Sequence, residues 1–304
     1  NPNGIHRFKG DQWSGINLYT YSQIDSLLDF ISVAGDKVSG NVYAGSFGGG
    51  LLEIKKDNSF SIYKQQSALQ PAIGDPGSYR VSGLATDAAG NLWVSNYGAP
   101  QNLVVKKADG NWRRYTIPFF HTENAVARII IDDFNDKWIM SPKGNGVFCF
   151  DDGGTLDNLS DDRWRYLRQG KGNGNLPSSE VYCLAKDLNG FIWIGTGKGI
   201  AVVQCVQDIF TSNACEAVLP VVQQDNFAGY LFADEEVRAI AVDGANRKWV
   251  GTRNGVWLIS ADGQQVISQF TESNSPLLSN VINNIVIDPL SGEVFFSTFN
   301  GVCS

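Results

Sequence analysis

Histidine is nearly absent from this sequence, in which only His6 and His121 occur. His6 falls in a predicted strand and His121 in a predicted loop, so the pair does not suggest a Ser-His-Asp arrangement. Adjacent acidic pairs such as Asp132-Asp133 and Glu235-Glu236 fall at predicted turns, where exposure to solvent explains them. We therefore predict no catalytic residue and no enzymatic activity.

Positive charge is scarce as well. The 24 Lys and Arg residues are outnumbered by 31 Asp and Glu, the formal net charge is -7, and no basic stripe occurs. Because phosphate groups are bound by clustered Lys and Arg, we exclude a nucleic-acid partner. No apolar run reaches the roughly 18 residues that a membrane-spanning helix needs, so we predict no transmembrane segment.

The five cysteines include no CxxC pair and no Cys/His ligand spacing, so we predict no metal site and no cofactor. Cys149, Cys183 and Cys303 lie in strand-like runs, where cysteine behaves as a small buried hydrophobe. Cys205 and Cys215 lie in the longest segment between repeats. They either form a disulfide, which would imply an oxidising compartment, or remain free thiols.

What the sequence does contain is a repeat, seen most clearly at Val181 to Gly199. An apolar alternation runs into the turn signal Asp187-Leu-Asn-Gly190 and then into a short β-rich run around Trp193, which predicts a hairpin. The copies are spaced about 45 to 56 residues apart, a period typical of propeller blades. They are Phe30 to Ser46, Val81 to Ser95, Val126 to Ser141, Val237 to Thr252 and Ile282 to Thr298.

We therefore predict an all-β protein, with residues 1–304 forming a single β-propeller of four-stranded antiparallel blades. Six blades follow from the repeat count. The insertion Gln204 to Glu236 is expected to form an extra helix or strand pair. The N-terminal strands have no hairpin before them, and the last hairpin lacks its outer strands. We thus expect a ring closed by N- and C-terminal strands that share a blade.

Two recurring residue types have structural explanations. The tryptophans on the second strands (Trp93, Trp138, Trp193 and Trp249) are predicted to fill the core between blades. The aspartates before the turns are predicted to accept backbone N–H groups in Asx-turns. They belong to different blades, so their carboxylates are not expected to converge on a metal.

The loops after the second strands are expected to open on one face of the ring. There, aromatic side chains beside Asn, Lys and Arg could recognise sugars, an anionic glycan or a polypeptide terminus. The alternative is that these residues only form turns. The predicted ligand-binding residues are Phe47, Asn96, Tyr97, Lys143, Asn145, Lys198, Arg253, Asn254, Phe299 and Asn300.

The repeated string Asp-x-x-Gly-x-Ile/Leu-Trp-Ile/Val-Gly/Ser-Thr, followed by Gly-Ile/Val, resembles the two-component regulator propeller repeat of periplasmic sensor regions in Bacteroidetes hybrid histidine kinases. A closer likeness is to the propeller proteins of the type IX secretion system. It rests on four stretches: Leu84 to Gly98, Ser141 to Gly146, Gln223 to Phe232 and Gly292 to Ser297.

The second resemblance implies a non-enzymatic, extracytoplasmic recognition and scaffold module at the outer membrane, the cell surface or in the periplasm. It also implies two partners, the sortase that processes secreted cargo and an anionic lipopolysaccharide. Propellers of this family are usually seven-bladed, so the resemblance implies an alternative to six blades, with the seventh hidden in Gln204 to Glu236. The chain starts without Met, and we expect it to be a fragment. The resemblance implies a further propeller before it and a β-sandwich after it. The alternatives are a glycan-sensing kinase propeller and a metal-dependent propeller lyase similar to streptogramin-cleaving enzymes.

Overall fold

The computed structural model describes residues 4–10, 12–17, 19–27, 29–211, 215–224 and 227–304. Within these residues the chain forms 26 β-strands and three short 3₁₀ helices, at Ser22–Ile24, Thr122–Asn124 and Val206–Asp208. The chain divides into two compact units, one comprising residues up to 131 with 152–161, and the other residues 132–151 with 162–304. The single propeller domain stays a prediction, and the two units are described in turn.

The first unit contains strands β1 to β11. Strands β1 (Ile5–Lys9) and β2 (Gln12–Ile16) pair with each other. Two antiparallel four-stranded arrays follow, linked by a short ladder between β4 and β7. They are β3 (Phe30–Gly35), β4 (Val42–Gly48), β5 (Gly50–Ile54) and β6 (Phe60–Tyr63), then β7 (Tyr79–Thr86), β8 (Leu92–Asn96), β9 (Leu103–Lys106) and β10 (Trp112–Tyr115), with β11 at Ile129–Ile131.

The second unit contains β12 to β26, in antiparallel sheets built from consecutive strands. The first two groups are β12 (Lys137–Ser141), β13 (Gly146–Asp151) and β14 (Arg163–Leu167), then β15 (Val181–Lys186), β16 (Ile192–Thr196) and β17 (Gly199–Val203). The hairpin of β18 (Val221–Gln224) and β19 (Phe227–Tyr230) forms a two-stranded sheet of its own. The last two groups are β20 (Ala239–Val242), β21 (Lys248–Gly251), β22 (Val256–Ile259) and β23 (Val266–Phe270), then β24 (Ile282–Ile287), β25 (Val294–Thr298) and β26 (Gly301–Cys303).

The all-β prediction is confirmed, and the antiparallel sheets are consistent with a propeller. Five of the predicted hairpins form as β3–β4, β7–β8, β15–β16, β20–β21 and β24–β25. The insertion contains the expected strand pair, β18–β19, although its residues 212–214 and 225–226 lie outside the described residues, as does Asp11 near the N-terminus. The last hairpin gains a third strand, β26, that we did not predict. The number of blades and the closure of the ring stay predictions.

The repeated aspartate and tryptophan are joined by a contact that the repeat pattern alone did not reveal. Asp187 Oδ1 accepts the N–H groups of Asn189 (2.9 Å) and Phe191 (3.0 Å), which confirms the predicted Asx-turn. Its Oδ2 accepts the indole N–H of Trp193 at 3.0 Å. Equivalent indole contacts join Asp87 to Trp93, Asp132 to Trp138 and Asp243 to Trp249, at 3.1, 2.8 and 3.4 Å. One carboxylate thus orders the turn and anchors the second strand.

The tryptophans fill the core as predicted, with one exception. Trp93, Trp138 and Trp193 are buried. Trp249 is only partly buried; its ring stacks on Phe270 at 5.6 Å and tilts against Phe296 at 5.8 Å.

Candidate functional site

The structure divides the ten predicted loop residues between the two units. Phe47, Asn96 and Tyr97 belong to the first unit, and the other seven belong to the second. A single face that gathers all ten therefore stays a prediction.

Asn96 and Asn145 were predicted to bind ligand at exposed loops, but both side chains are buried. Asn96 Oδ1 accepts the backbone N–H of Gln70 at 2.7 Å, and Asn145 Nδ2 donates to the carbonyl of Pro142 at 2.7 Å. Backbone N–H and C=O groups in a loop have no neighbouring strand to bond to. The short amide side chain of asparagine can supply a donor or an acceptor to them. These two residues are loop organisers, as the turn-forming alternative proposed.

The remaining first-unit residues, Phe47 and Tyr97, form an aromatic pair with ring centroids 5.2 Å apart. The guanidinium of Arg80 lies 5.4 Å from the centre of the Phe47 ring, and Arg80 also binds Asp75 at 2.8 Å. Tyr97 is buried, and its hydroxyl donates to Glu123 Oε2 at 3.0 Å. Phe47 therefore offers a half-exposed ring at this end of the first unit, whereas Tyr97 supports it from beneath.

A pocket of about 390 Å³ adjoins this aromatic pair, lined by Ile73, Arg80, Tyr97, Phe120, His121 and Glu123 among others. Phe120 is 90% exposed, and Ile73 is also exposed. Exposed apolar side chains beside a pocket with a few polar groups are typical of recognition surfaces. Sequence reasoning missed Arg80 and Phe120, although the adjacent aromatics Phe119-Phe120 in a loop were a usable signal.

His121 is a structural residue of this pocket wall. Its Nδ1 lies 2.7 Å from the carbonyl of Phe119, which can only accept, so Nδ1 carries the proton. Its Nε2 then accepts from the amide of Asn102 at 2.6 Å. Burial lowers the pKa of His121, which keeps the ring neutral. With both ring nitrogens engaged, His121 is a poor general base.

In the second unit, three loops share one local conformation, set by a threonine at the end of the second strand. The hydroxyls of Thr196, Thr252 and Thr298 accept the backbone N–H two residues later, at 3.1, 2.9 and 3.2 Å. Each also donates to the carbonyl of the glycine that follows, at 2.9, 3.3 and 2.9 Å. These turns place Lys198, Asn254 and Asn300 at exposed loop tips.

Two of the loop tips meet a charged cluster, here called the Arg253 cluster and comprising Glu235, Glu236, Arg238, Arg253 and Asn254. Glu236 Oε2 accepts from Arg253 Nε and Arg238 Nη2, both at 2.8 Å. Asn254 Nδ2 donates to Glu235 Oε1 at 3.2 Å. The hydrogen bonds from Arg238 and Arg253 lower the pKa of Glu236. The neighbouring Lys198 loop is tied to the cluster through Gly199, whose N–H donates to the carbonyl of Glu235 at 2.9 Å.

Lys143, Phe299 and Asn300 are not members of that cluster. Lys143 is exposed in a left-handed turn, with φ of 66°. Phe299 is 78% exposed at the tip of its loop, while the neighbouring Asn300 donates through Nδ2 to the carbonyl of Leu278 at 2.9 Å. Phe299 is thus an aromatic side chain presented to solvent.

The insertion contains a disulfide between Cys205 and Cys215, whose Cα atoms are 5.7 Å apart. Cys149 and Cys183 are buried free thiols, as expected for small core residues, and Cys303 is partly buried. In the described ranges, no three His, Cys, Asp or Glu side chains are grouped closely enough to hold a metal. The three helices of the described residues are single 3₁₀ turns, and none of them is long enough to cross a membrane.

Comparison with known proteins agrees with the repeat pattern. The model of the two component regulator propeller family matches residues 175–198. Comparison with curated protein sequences gave no match.

Among solved structures, PorZ of Porphyromonas gingivalis is similar at a TM-score of 0.87 and 28% identity; it is described as an essential bacterial surface component of the type-IX secretion system. The match covers 98% of this chain and 42% of PorZ, so the chain spans less than half the length of that protein.

Two further structures are similar in fold alone. Virginiamycin B lyase from Staphylococcus aureus gives a TM-score of 0.62 at 12% identity, covering 91% of this chain and 80% of the lyase. The extracellular domain of a putative hybrid two component system from B. thetaiotaomicron gives a TM-score of 0.52 at 18% identity, and the match covers 99% of this chain and 41% of that domain. The chain thus carries a two-component regulator propeller repeat and is similar in structure to PorZ over almost its whole length.

Proposed function

We propose that this chain is an extracytoplasmic, non-enzymatic recognition and scaffold module of a type IX secretion system. In this role it would contact the sortase that processes secreted cargo and present an anionic lipopolysaccharide to it, at the cell surface, outer membrane or in the periplasm. The observation that carries the proposal is the structural similarity to PorZ, a bacterial surface component, over 98% of the chain.

The Arg253 cluster supports an anion-binding role, although its charges are balanced. Arg253 is 59% exposed, and its pairing with Glu236 is therefore worth only about 0–1 kcal/mol. A phosphate or carboxylate of a glycan could displace Glu236 at little cost and gain a two-pronged contact from the guanidinium. Lys198 adds a second exposed cation on the loop that the cluster holds.

The first test is binding of the purified chain to anionic lipopolysaccharide at several salt concentrations. We expect Arg253→Ala and Lys198→Ala each to weaken binding several-fold and to reduce its salt dependence, because each removes one contact to the anion. Lys171→Ala, which removes an exposed lysine of the same unit, is the matched control. Unchanged affinity in both loop variants would rule out these loops as the anion site.

The partner is tested separately. Purified sortase of the same secretion system is expected to bind the chain, and Phe120→Ala, which alters the exposed ring beside the 390 Å³ pocket, is expected to weaken the complex without changing stability. Leu290→Ala removes a side chain that is equally exposed and is the control. Absence of any complex with wild-type protein would count against the scaffold role.

A second candidate is the glycan-sensing region of a hybrid two-component histidine kinase, favoured by the family match at residues 175–198. The two candidate functions can be distinguished by sequencing the part of the gene that follows the codon for residue 304. A β-sandwich would support the secretion module, whereas a transmembrane helix and a kinase would support the sensor.

The similarity to virginiamycin B lyase makes an enzyme test worthwhile. We expect no cleavage of a streptogramin B substrate, because His121 is buried with both ring nitrogens engaged. Turnover that His6→Ala or His121→Ala abolishes would overturn the non-enzymatic assignment.

A further inference from the structure

A pocket of about 290 Å³ in the second unit lies between the β18–β19 hairpin with its following turn and the strands β22 and β23. Its walls are apolar and aromatic, with Val222, Tyr230, Phe232, Trp257 and Val266 among the lining residues, and Glu235 contributes a carboxylate. Tyr230 is 60% exposed at the rim. The volume lies just below the roughly 300–1,000 Å³ found for ligand pockets, which suits a single small ring.

Two polar atoms of the lining residues have no hydrogen-bond partner in the described part of the chain. They are Trp257 Nε1, a donor, and Glu235 Oε2, an acceptor, and both are shielded from solvent. Glu235 Oε1, in contrast, is bound by Asn254. Buried polar groups are almost always paired in folded proteins, so a donor and an acceptor left over beside one pocket call for a partner that the described part of the chain does not supply.

The backbone that carries this wall is held in an uncommon conformation. Phe232 and Asp234 have φ values of 58° and 64°, which non-glycine residues rarely adopt. Leu231 N–H donates to Pro220 O at 2.8 Å, and Glu235 N–H to Phe232 O at 2.9 Å, which secures the turn. The turn sets the Phe232 ring edge-on to Trp257, with centroids 5.5 Å apart. Such conformations persist where surrounding contacts enforce them, and they are concentrated at binding sites.

We propose that this pocket binds a neutral sugar ring. A hydroxyl group both donates and accepts. Once a side-chain rotation brings the two shielded atoms to the pocket surface, sugar hydroxyls can donate to Glu235 Oε2 and accept from Trp257 Nε1–H, while the C–H face of the ring packs on the aromatic wall. An anionic group, which can only accept hydrogen bonds, would leave Glu235 Oε2 without a donor. A cation would satisfy Glu235 but would leave the indole donor without an acceptor. The site goes beyond the proposed function, because it does not use the cations assigned to lipopolysaccharide.

The test is ligand-observed saturation-transfer NMR on the wild-type chain. The probes are the methyl glycosides of glucose, galactose and mannose, compared with glucuronate and tetramethylammonium. We expect at least one neutral glycoside to bind in the millimolar range. Trp257→Phe, which keeps an aromatic ring but removes the N–H, is expected to weaken binding about five- to tenfold, the effect of one hydrogen bond. Glu235→Gln, which keeps an oxygen acceptor without the charge, is expected to weaken it about threefold.

Trp164→Phe is the matched control, since Trp164 stacks on Phe150 elsewhere in the same unit. Thermal melting of each variant shows whether it is folded. The inference is overturned if none of the three glycosides binds the wild-type chain, if only glucuronate or tetramethylammonium binds, or if Trp257→Phe binds as tightly as wild type. Loss of lipopolysaccharide binding in Arg253→Ala leaves this site untouched, so the two proposals fail separately.

Discussion

Lys248 Nζ lies 3.0 Å from Asp187 Oδ2, and both side chains are almost completely buried, at 0% and 1% exposure. The ammonium also donates to the carbonyl of Ala261 at 2.6 Å and lies 4.5 Å from the centre of the Trp193 ring. Asp187 belongs to the turn between β15 and β16, and Lys248 begins β21. The Asp187 carboxylate therefore orders the turn of its own repeat and is also the counter-ion of Lys248 in the next repeat.

Lys248→Met is expected to lower the free energy of unfolding by about 3–5 kcal/mol, because it leaves the Asp187 carboxylate buried without its cation. Urea denaturation measures the change. Arg247→Met is the matched control: its pair with Asp243 is partly exposed and worth about 0–1 kcal/mol. The double variant Asp187→Asn/Lys248→Met should recover part of the loss, since neither charge is then left unpaired. A loss below about 1 kcal/mol for Lys248→Met would contradict this account.

Asp136 is expected to destabilise the fold as pH rises. Burial, together with the nearby carboxylates of Asp132 and Asp151, raises the pKa of Asp136 from 3.8 to about 7. A carboxyl whose folded pKa lies above its unfolded pKa contributes stability at low pH that is lost as pH rises from about 4 to about 7. Asp136→Asn mimics the protonated form, so its advantage over wild type should be near zero at pH 4 and largest above pH 7, with an upper limit of about 4 kcal/mol.

Melting temperatures across this pH range measure the Asp136 effect. Asp133→Asn, at an exposed neighbouring position, should give no comparable trend. A constant difference between Asp136→Asn and wild type from pH 4 to pH 8 would show that the carboxyl has an ordinary pKa.

The disulfide of the insertion closes a short loop, with ten positions separating Cys205 from Cys215. Replacing both cysteines with alanine is expected to cost about 2–3 kcal/mol, because the unfolded chain regains the freedom that the crosslink removed. Urea denaturation with and without a reducing agent tests this: reduction should destabilise wild type and Cys303→Ser but leave the double variant unchanged. An equal response of all three proteins would contradict it.

The next repeat packs closely against Gly195. A Cβ there would stand 2.4 Å from Cys183 Sγ and 2.7 Å from the carbonyl of Val237. Gly195→Ala is therefore expected to cost about 1–3 kcal/mol through overpacking. Gly244→Ala, in an open turn with no atom within 4 Å of the added Cβ, is the control and should be nearly neutral. Both are measured by thermal unfolding, and equal effects would contradict the packing argument.

Hairpin positions, aspartate turns and the burial of three of the four repeated tryptophans could be predicted from the sequence. The alternation of apolar residues, the Asp-x-x-Gly turn and the aromatic on the second strand all lie within about 20 contiguous residues, and local conformational preferences act at that range. The recurrence of a small residue at Gly195 and at the same position of the other repeats could also be read from the sequence, but the physical reason for it could not. The close approach of Cys183 and Val237 to Gly195 explains it.

The candidate sites depended on contacts between distant residues. Phe47, Lys198 and Arg253 could be proposed as site residues from their loops. Asn96 and Asn145 are buried, and Arg253 is paired with Glu236. The 290 Å³ pocket joins Glu235 to Trp257, and the buried ion pair joins Asp187 to Lys248. The sequence by itself determined the strands and turns, because their hydrogen bonds are local. Only tertiary structure decided which polar groups were paired and which were left free, because that depends on strand register and on how repeats pack together.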